Sequence, residues 1–302
     1  MDQDTVRTHL TGPVASIKMP FNQDGSVDDK GLRNFIDATI AGGSRAVILT
    51  AGDSHYNCLN DEEVAEVTKI TCQHTAGRAM VVAADFHYST PRAVAFARFL
   101  RDQGADIYML LPPTWDRCTP QVLADHYVTV SRIMPVMAVT NVFENFDDTF
   151  ALETLRLMLE QSDQIVAIKD DRGHPFVQDM CLQCHDRCAI FAGGSKLKHL
   201  SMLPFGCDGY MSLFVTFKPE LAANYWKAAS VLDFATAGKF ISESEEPLRD
   251  YFMKRPGGWN SALHGMLELY GIAKRWRRKP YTTIDDAGME ELADFMRARN
   301  LL

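Results

Sequence analysis

The sequence predicts an α/β protein, a (β/α)8 TIM barrel with a C-terminal helical appendage. Three observations carry that prediction. Short apolar runs alternate with amphipathic helical stretches eight times in about the first 230 residues. The runs are apolar throughout, as in strands buried on both faces of a parallel sheet. No glycine-rich dinucleotide fingerprint follows the first run, which separates the chain from doubly wound sheets.

Strands are predicted over 14–21, 46–50, 79–84, 106–111, 135–140, 165–169, 189–192 and 209–213. The first helix, 28–41, carries Leu32, Phe35, Ile36 and Ile40 on one face and stops at Gly42 and Gly43. Asn60 caps the next, 61–74. Pro91 sits at an early position of the third, which ends near Gly104. Pro112 and Pro113 stop the fourth strand, and Thr119 and Pro120 open the helix to about residue 133. Further helices follow over 150–161, 175–187, from 196, and 219–232. Beyond them no strand signal appears, only helices over 238–253, 259–274 and 286–299. The expected division is a barrel, 1–235, and a three-helix appendage, 236–302.

The 31 basic and 39 acidic residues leave a net charge of −8, which disfavours nucleic acid or an anionic membrane as a partner. No apolar run approaches the roughly 20 residues of a membrane span, and the N-terminus has no signal pattern. A cytoplasmic protein is expected. Its seven cysteines, an odd number scattered through predicted core elements, read as reduced thiols. Cys181, Cys184 and His185 match a haem-attachment spacing, and Cys188 extends them to a conceivable zinc set. The segment falls in a predicted outer helix, so core thiols are the reading, with no metal and no cofactor. The basic run from Arg275 to Lys279 reads as a solvated helix end.

Chemistry concentrates at IVAIKDD, residues 165–171, an apolar run that ends in Lys169. Burial at such a strand end disfavours the charged amine, and a neutral amine condenses with a ketone to a Schiff base. A structural lysine paired with Asp170 or Asp171 is the competing reading. The barrel favours the first, because its catalytic groups sit at the C-terminal strand ends. Lys18, the rival lysine, precedes Met19, Pro20 and Phe21 and reads as structural.

Several landmarks together resemble the dihydrodipicolinate synthase/N-acetylneuraminate lyase family of class I aldolases. Met19-Pro20-Phe21 with Asp24, Gly25 and Asp28 is similar to its TPF…DG…D. Ile168-Lys169-Asp170 resembles its IK[DE] signature, Phe191 to Gly194 its F-x-G segment, and Gly206 to Gly209 its G-x-x-G. The resemblance spans nearly the whole chain. It implies that Lys169 is the Schiff-base lysine, that the substrate is pyruvate or another 2-oxo acid, and that the protein forms homotetramers or homodimers. It also places Gly52, Asp53, Ser54, Gly193 and Gly194 at the substrate.

Two departures stand out. Gly52 and Asp53 occupy the place of the two threonines of the family's GTTGE loop, and Asp53 repels a carboxylate unless compensated. His55 or the amides around Ser54 are the expected compensation. Thr140 replaces the tyrosine of YNVP, the usual proton shuttle, and a threonine hydroxyl is a poor acid–base. Tyr56, His55 and Glu144 are the candidates for the lost role, Thr140 with Tyr56 and His55 is the expected acid–base site beside Lys169, and Trp115 is a candidate for the pocket wall or a subunit contact. The expected function is a Schiff-base lyase. Its alternatives are a dehydratase of a 2-keto-3-deoxy sugar acid and a catalytically degenerate 2-oxo acid binder.

Overall fold

The computed structural model describes residues 2–86, 89–111, 116–143 and 145–302. Eight parallel strands close into a barrel in sequence order: β1 Gly12–Ser16, β2 Ala46–Ile48, β3 Met80–Ala84, β4 Ile107–Leu110, β5 Val136–Val139, β6 Ile165–Asp170, β7 Ala189–Ala192 and β8 Gly209–Met211. β1 and β8 close the ring with Gly12 opposite Gly209. Gly209 is required there: a Cβ on it would lie 1.9 Å from the Leu10 carbonyl oxygen. Every residue of β3 and β6 is buried, which explains why these strands are apolar without alternation.

Helices cover the outside. α1, Gln3–Leu10, precedes the barrel, buries Val6 and Leu10, and was not expected. Two apolar positions are too few for a periodic signal. What fixes it is long-range: Arg7 binds Asp208 at 3.0 Å and the carbonyls of His185 and Cys188. The next six are α2 Asp29–Ala41, α3 Asp61–Thr75, α4 Thr90–Gln103, α5 Pro120–Ser131, α6 Asp148–Gln161 and α7 Phe176–Cys184. α8 Lys196–Met202, α9 Phe214–Phe217 and α10 Pro219–Ala229 complete the barrel layer. Asp28, Thr119, Asp147 and Ser195 cap their helices through side-chain oxygens, and Asn60 with Glu63 forms a full capping box.

The first strand is shorter than expected. Residues beyond Ser16 leave the regular ladder, although the Ile17 amide still donates to the Ile48 carbonyl at 2.9 Å. The C-terminal helices are α11 Phe234–Phe240, α12 Glu246–Met253, α13 Gly258–Leu269 and α14 Asp286–Arg297, with a π-helical turn, Ile241–Glu245, joining the first two. The third of these ends earlier than the expected 259–274. The basic run is correspondingly not a solvated helix end. Arg278 binds Glu63 at 2.7 Å and the carbonyls of Gly25 and Cys58, and Arg277 is 8% exposed. Charge pattern alone could not place these partners, which lie more than 200 residues upstream.

All seven cysteines are free thiols. Cys181 and Cys184 face the core, where burial pushes each thiol up to about 12. His185 turns instead to Asp208 at 3.2 Å. No described helix is long and apolar enough to cross a membrane.

Candidate active site

β6 presents Lys169 opposite Val139 of β5 and Phe191 of β7, at the C-terminal end of the barrel. Its side chain is 8% exposed and its Nζ donates to the Asp171 carboxylate. Gly193, just after β7, makes that arrangement possible. A Cβ there would stand 2.2 Å from Asp171 Oδ1 and 2.6 Å from Lys169 Nζ. The amine expected to be neutral is here in an ion pair with Asp171, one of the two partners the competing reading named.

Asp170 points the other way and is fully buried. It accepts from Thr140 Oγ1 at 2.6 Å and from the Arg172 and Gly173 amides at 3.2 Å. Thr140 Oγ1 in turn accepts from the amides of Asp171, at 3.0 Å, and Arg172, at 3.2 Å. One donor and two acceptor positions are then used, the full capacity of a hydroxyl. Thr140 thus fixes the backbone turn beyond Lys169 and has no proton to offer the site. The Arg172 guanidinium locks the same turn to the Phe143 and Phe146 carbonyls, each at 3.0 Å.

Across the mouth, Lys18 pairs with Asp53 and donates to Ser16 Oγ at 3.0 Å. Ser16 Oγ donates to Asp53 as well. Burial pushes the Asp53 carboxyl up, but Lys18, Ser16 and the more distant Lys169 outweigh it and hold the group down at about 2. Asp53 is thus an anion compensated by Lys18, not by His55 or the Ser54 region. Lys18 belongs to the site, which its sequence context did not reveal. Its position two residues after Ser16, on the same side of an extended chain, was the available signal.

The loop after β2 explains the rest. Ser54 is buried as a clip, accepting from the Thr50 amide at 3.0 Å and donating to the Ile17 carbonyl at 2.8 Å. His55 takes a left-handed backbone, φ 52°, and packs against Phe21, His264 and Tyr281. Burial, then Arg277, lowers it to about 4. Tyr56 is 2% exposed, and burial raises its phenol far above the usual range, with Thr68 of α3 as its neighbour. Neither ring lines the cavity. Gly52 has open space around its Cβ position and is not among the residues that line the cavity either. Trp115 and Glu144 lie outside the described residues.

The cavity itself measures about 300 Å³. Ser16, Lys18, Asp53, Gly193, Gly194, Lys196 and Trp259 are among its lining residues, and Lys169 and Asp171 adjoin it at Gly193 without lining it. Lys196 is 3% exposed and paired with Glu245 from the π-helical turn. Four rings surround its ammonium, Phe214 at 4.9 Å, Tyr210 at 5.5 Å, Tyr225 at 5.6 Å and Phe240 at 5.9 Å. Burial lowers this lysine while Glu245 opposes the shift. The pair ties α8 to the C-terminal helices, which roof the cavity through Met253, Trp259 and Leu263.

The model of the dihydrodipicolinate synthetase family matches residues 9–299, and the chain belongs to that family of class I aldolase-type lyases. The 4-hydroxy-tetrahydrodipicolinate synthase of Dechloromonas aromatica is 24% identical over 298 residues, covering 97% of this chain and 99% of its own. Among solved structures, the N-acetylneuraminate lyase of Fusobacterium nucleatum superposes with a TM-score of 0.85 at 18% identity, covering 96% of this chain and 99% of its own. The dihydrodipicolinate synthase of Acinetobacter baumannii complexed with pyruvate gives 0.78 at 21%, covering 97% and 100%. At these identities the structural likeness establishes the fold.

Proposed function

We propose that this member of the dihydrodipicolinate synthetase family is a lyase that forms a Schiff base between Lys169 and a 2-oxo acid. The carrying observation is the position of Lys169 Nζ. It sits at the C-terminal end of a barrel strand, nearly out of water, against a glycine of the cavity wall. Condensation gives an iminium, an electron sink for breaking or forming a bond at the neighbouring carbon. Lys18 supports the acid's carboxylate. Of its three N–H donors, Ser16 and Asp53 take two, and the third is left for a ligand.

The cavity that adjoins Lys169 at Gly193, about 300 Å³, favours an acid longer than pyruvate. Aldol cleavage or addition suits such a substrate, and so does dehydration of a 2-keto-3-deoxy sugar acid. Incubation with pyruvate and longer 2-oxo acids, followed by borohydride and peptide mass spectrometry, tests the assignment. The expected result is one reduced adduct on Lys169, absent from Lys169→Ala. No adduct with any 2-oxo acid would overturn it.

A further inference from the structure

We propose that Asp171 is the proton carrier of this site, taking the proton from Lys169 and returning it to the oxygen that leaves as water. The proposal rests on the Schiff-base reading and names the acid–base it requires.

The geometry assigns the role. Oδ2 of Asp171 accepts from Lys169 Nζ, while Oδ1 lies over Gly193, a residue of the cavity wall without a side chain. One carboxylate oxygen thus holds the nucleophile and the other lies beside the backbone of a cavity-wall residue. The Asp171 side chain keeps 23% of its surface exposed, so it can exchange protons with water. Its backbone is fixed by the Thr140 hydroxyl. The described alternatives are engaged elsewhere. Thr140 has spent its hydrogen bonds, Asp170 is buried under four polar partners, and Asp53 is tied to Lys18 and Ser16. His55 packs against Phe21, His264 and Tyr281, and Tyr56 is buried beside Thr68.

The steps balance. The Asp171 carboxylate removes one proton from the Lys169 ammonium, leaving a neutral amine and a carboxylic acid. The amine's lone pair forms the N–C bond to the keto carbon, and the carbonyl π electrons move to oxygen. Asp171 gives its proton to that oxygen and takes one from the new ammonium nitrogen, which yields the neutral carbinolamine. It then protonates the hydroxyl. The C–O bond breaks, water leaves, the nitrogen lone pair forms the iminium, and Asp171 is again a carboxylate. Hydrolysis reverses the sequence.

The rate of borohydride-trappable adduct formation on Lys169, followed against pH with pyruvate, decides the matter. A partner that only neutralised the ammonium would hold the amine protonated, so its removal would speed trapping near neutrality. A proton carrier predicts the opposite sign. Asp171→Asn is expected to slow trapping by about 10²–10⁴-fold, and Asp171→Glu to recover part of the loss. Asp171→Ser gives the same readout should Asp171→Asn not fold. Trapping by these variants at the wild-type rate or faster overturns the proposal while leaving the Schiff-base reading intact. Failure of the wild-type protein to trap overturns both.

Discussion

Replacing Gly193 by alanine tests the architecture with one methyl group. The backbone there is not in the left-handed region, so the substitution acts through space alone. The added carbon would stand 2.6 Å from Lys169 Nζ and 2.8 Å from its Cε, where ordinary contacts are 3.4–4 Å. The amine must withdraw by roughly 1 Å, and a displacement of that size at a reacting group costs about 10²-fold, or roughly 2.7 kcal/mol of barrier. The fold suffers less. The clashing atoms are tips of flexible side chains, so the low end of the overpacking range applies, about 1 kcal/mol, a fall in Tm of roughly 2–4 °C. Trapping rate and melting temperature are measured on the same samples. Gly238→Ala, in a helix with nothing within 4 Å of its Cβ position, serves as the control. If Gly193→Ala traps pyruvate as fast as the wild type, the placement of Lys169 and Asp171 around this glycine is wrong.

Two further outcomes follow from the charged groups. The Asp53 carboxyl is depressed on folding, so its contribution is complete above an ordinary value of 3.8 and disappears as pH falls through about 2. The gap is worth roughly 2 kcal/mol. Urea unfolding should show Asp53→Asn less stable than wild type by about that amount at pH 5, the two converging near pH 2, and a constant difference would refute the account. Glu245→Gln leaves the Lys196 ammonium buried without its anion, at a cost of about 3–5 kcal/mol. The double change with Lys196→Met should restore much of the lost Tm, and an additive pair would show the two groups to be independent.

What could be read from the sequence was what chain order determines locally. The apolar run into Lys169, the glycine pair after β7 and the helix caps depend on neighbours a few residues away, and they located the strand end where the amine sits. Lys169 and Asp171 are two residues apart on extended chain, hence on one side of it. That signal was available and left unresolved between Asp170 and Asp171. The role of Lys18 required the position of the loop after β2 relative to the end of β1, a non-local relation. Tyr56 and His55 lie in the correct loop, but its turn directs one ring beneath α3 and the other toward α13. Spacing along a loop does not encode where its side chains face.

Arg278 joins three segments that chain order keeps far apart, the turn at Gly25, the short helical turn ending at Cys58 and the cap of α3 at Glu63. Tyr281 adds a contact to the His55 ring. These anchors leave the ribosome after all eight strands. A nascent chain therefore carries all eight strands before the residues that secure the loop bearing Asp53 and His55 have been made.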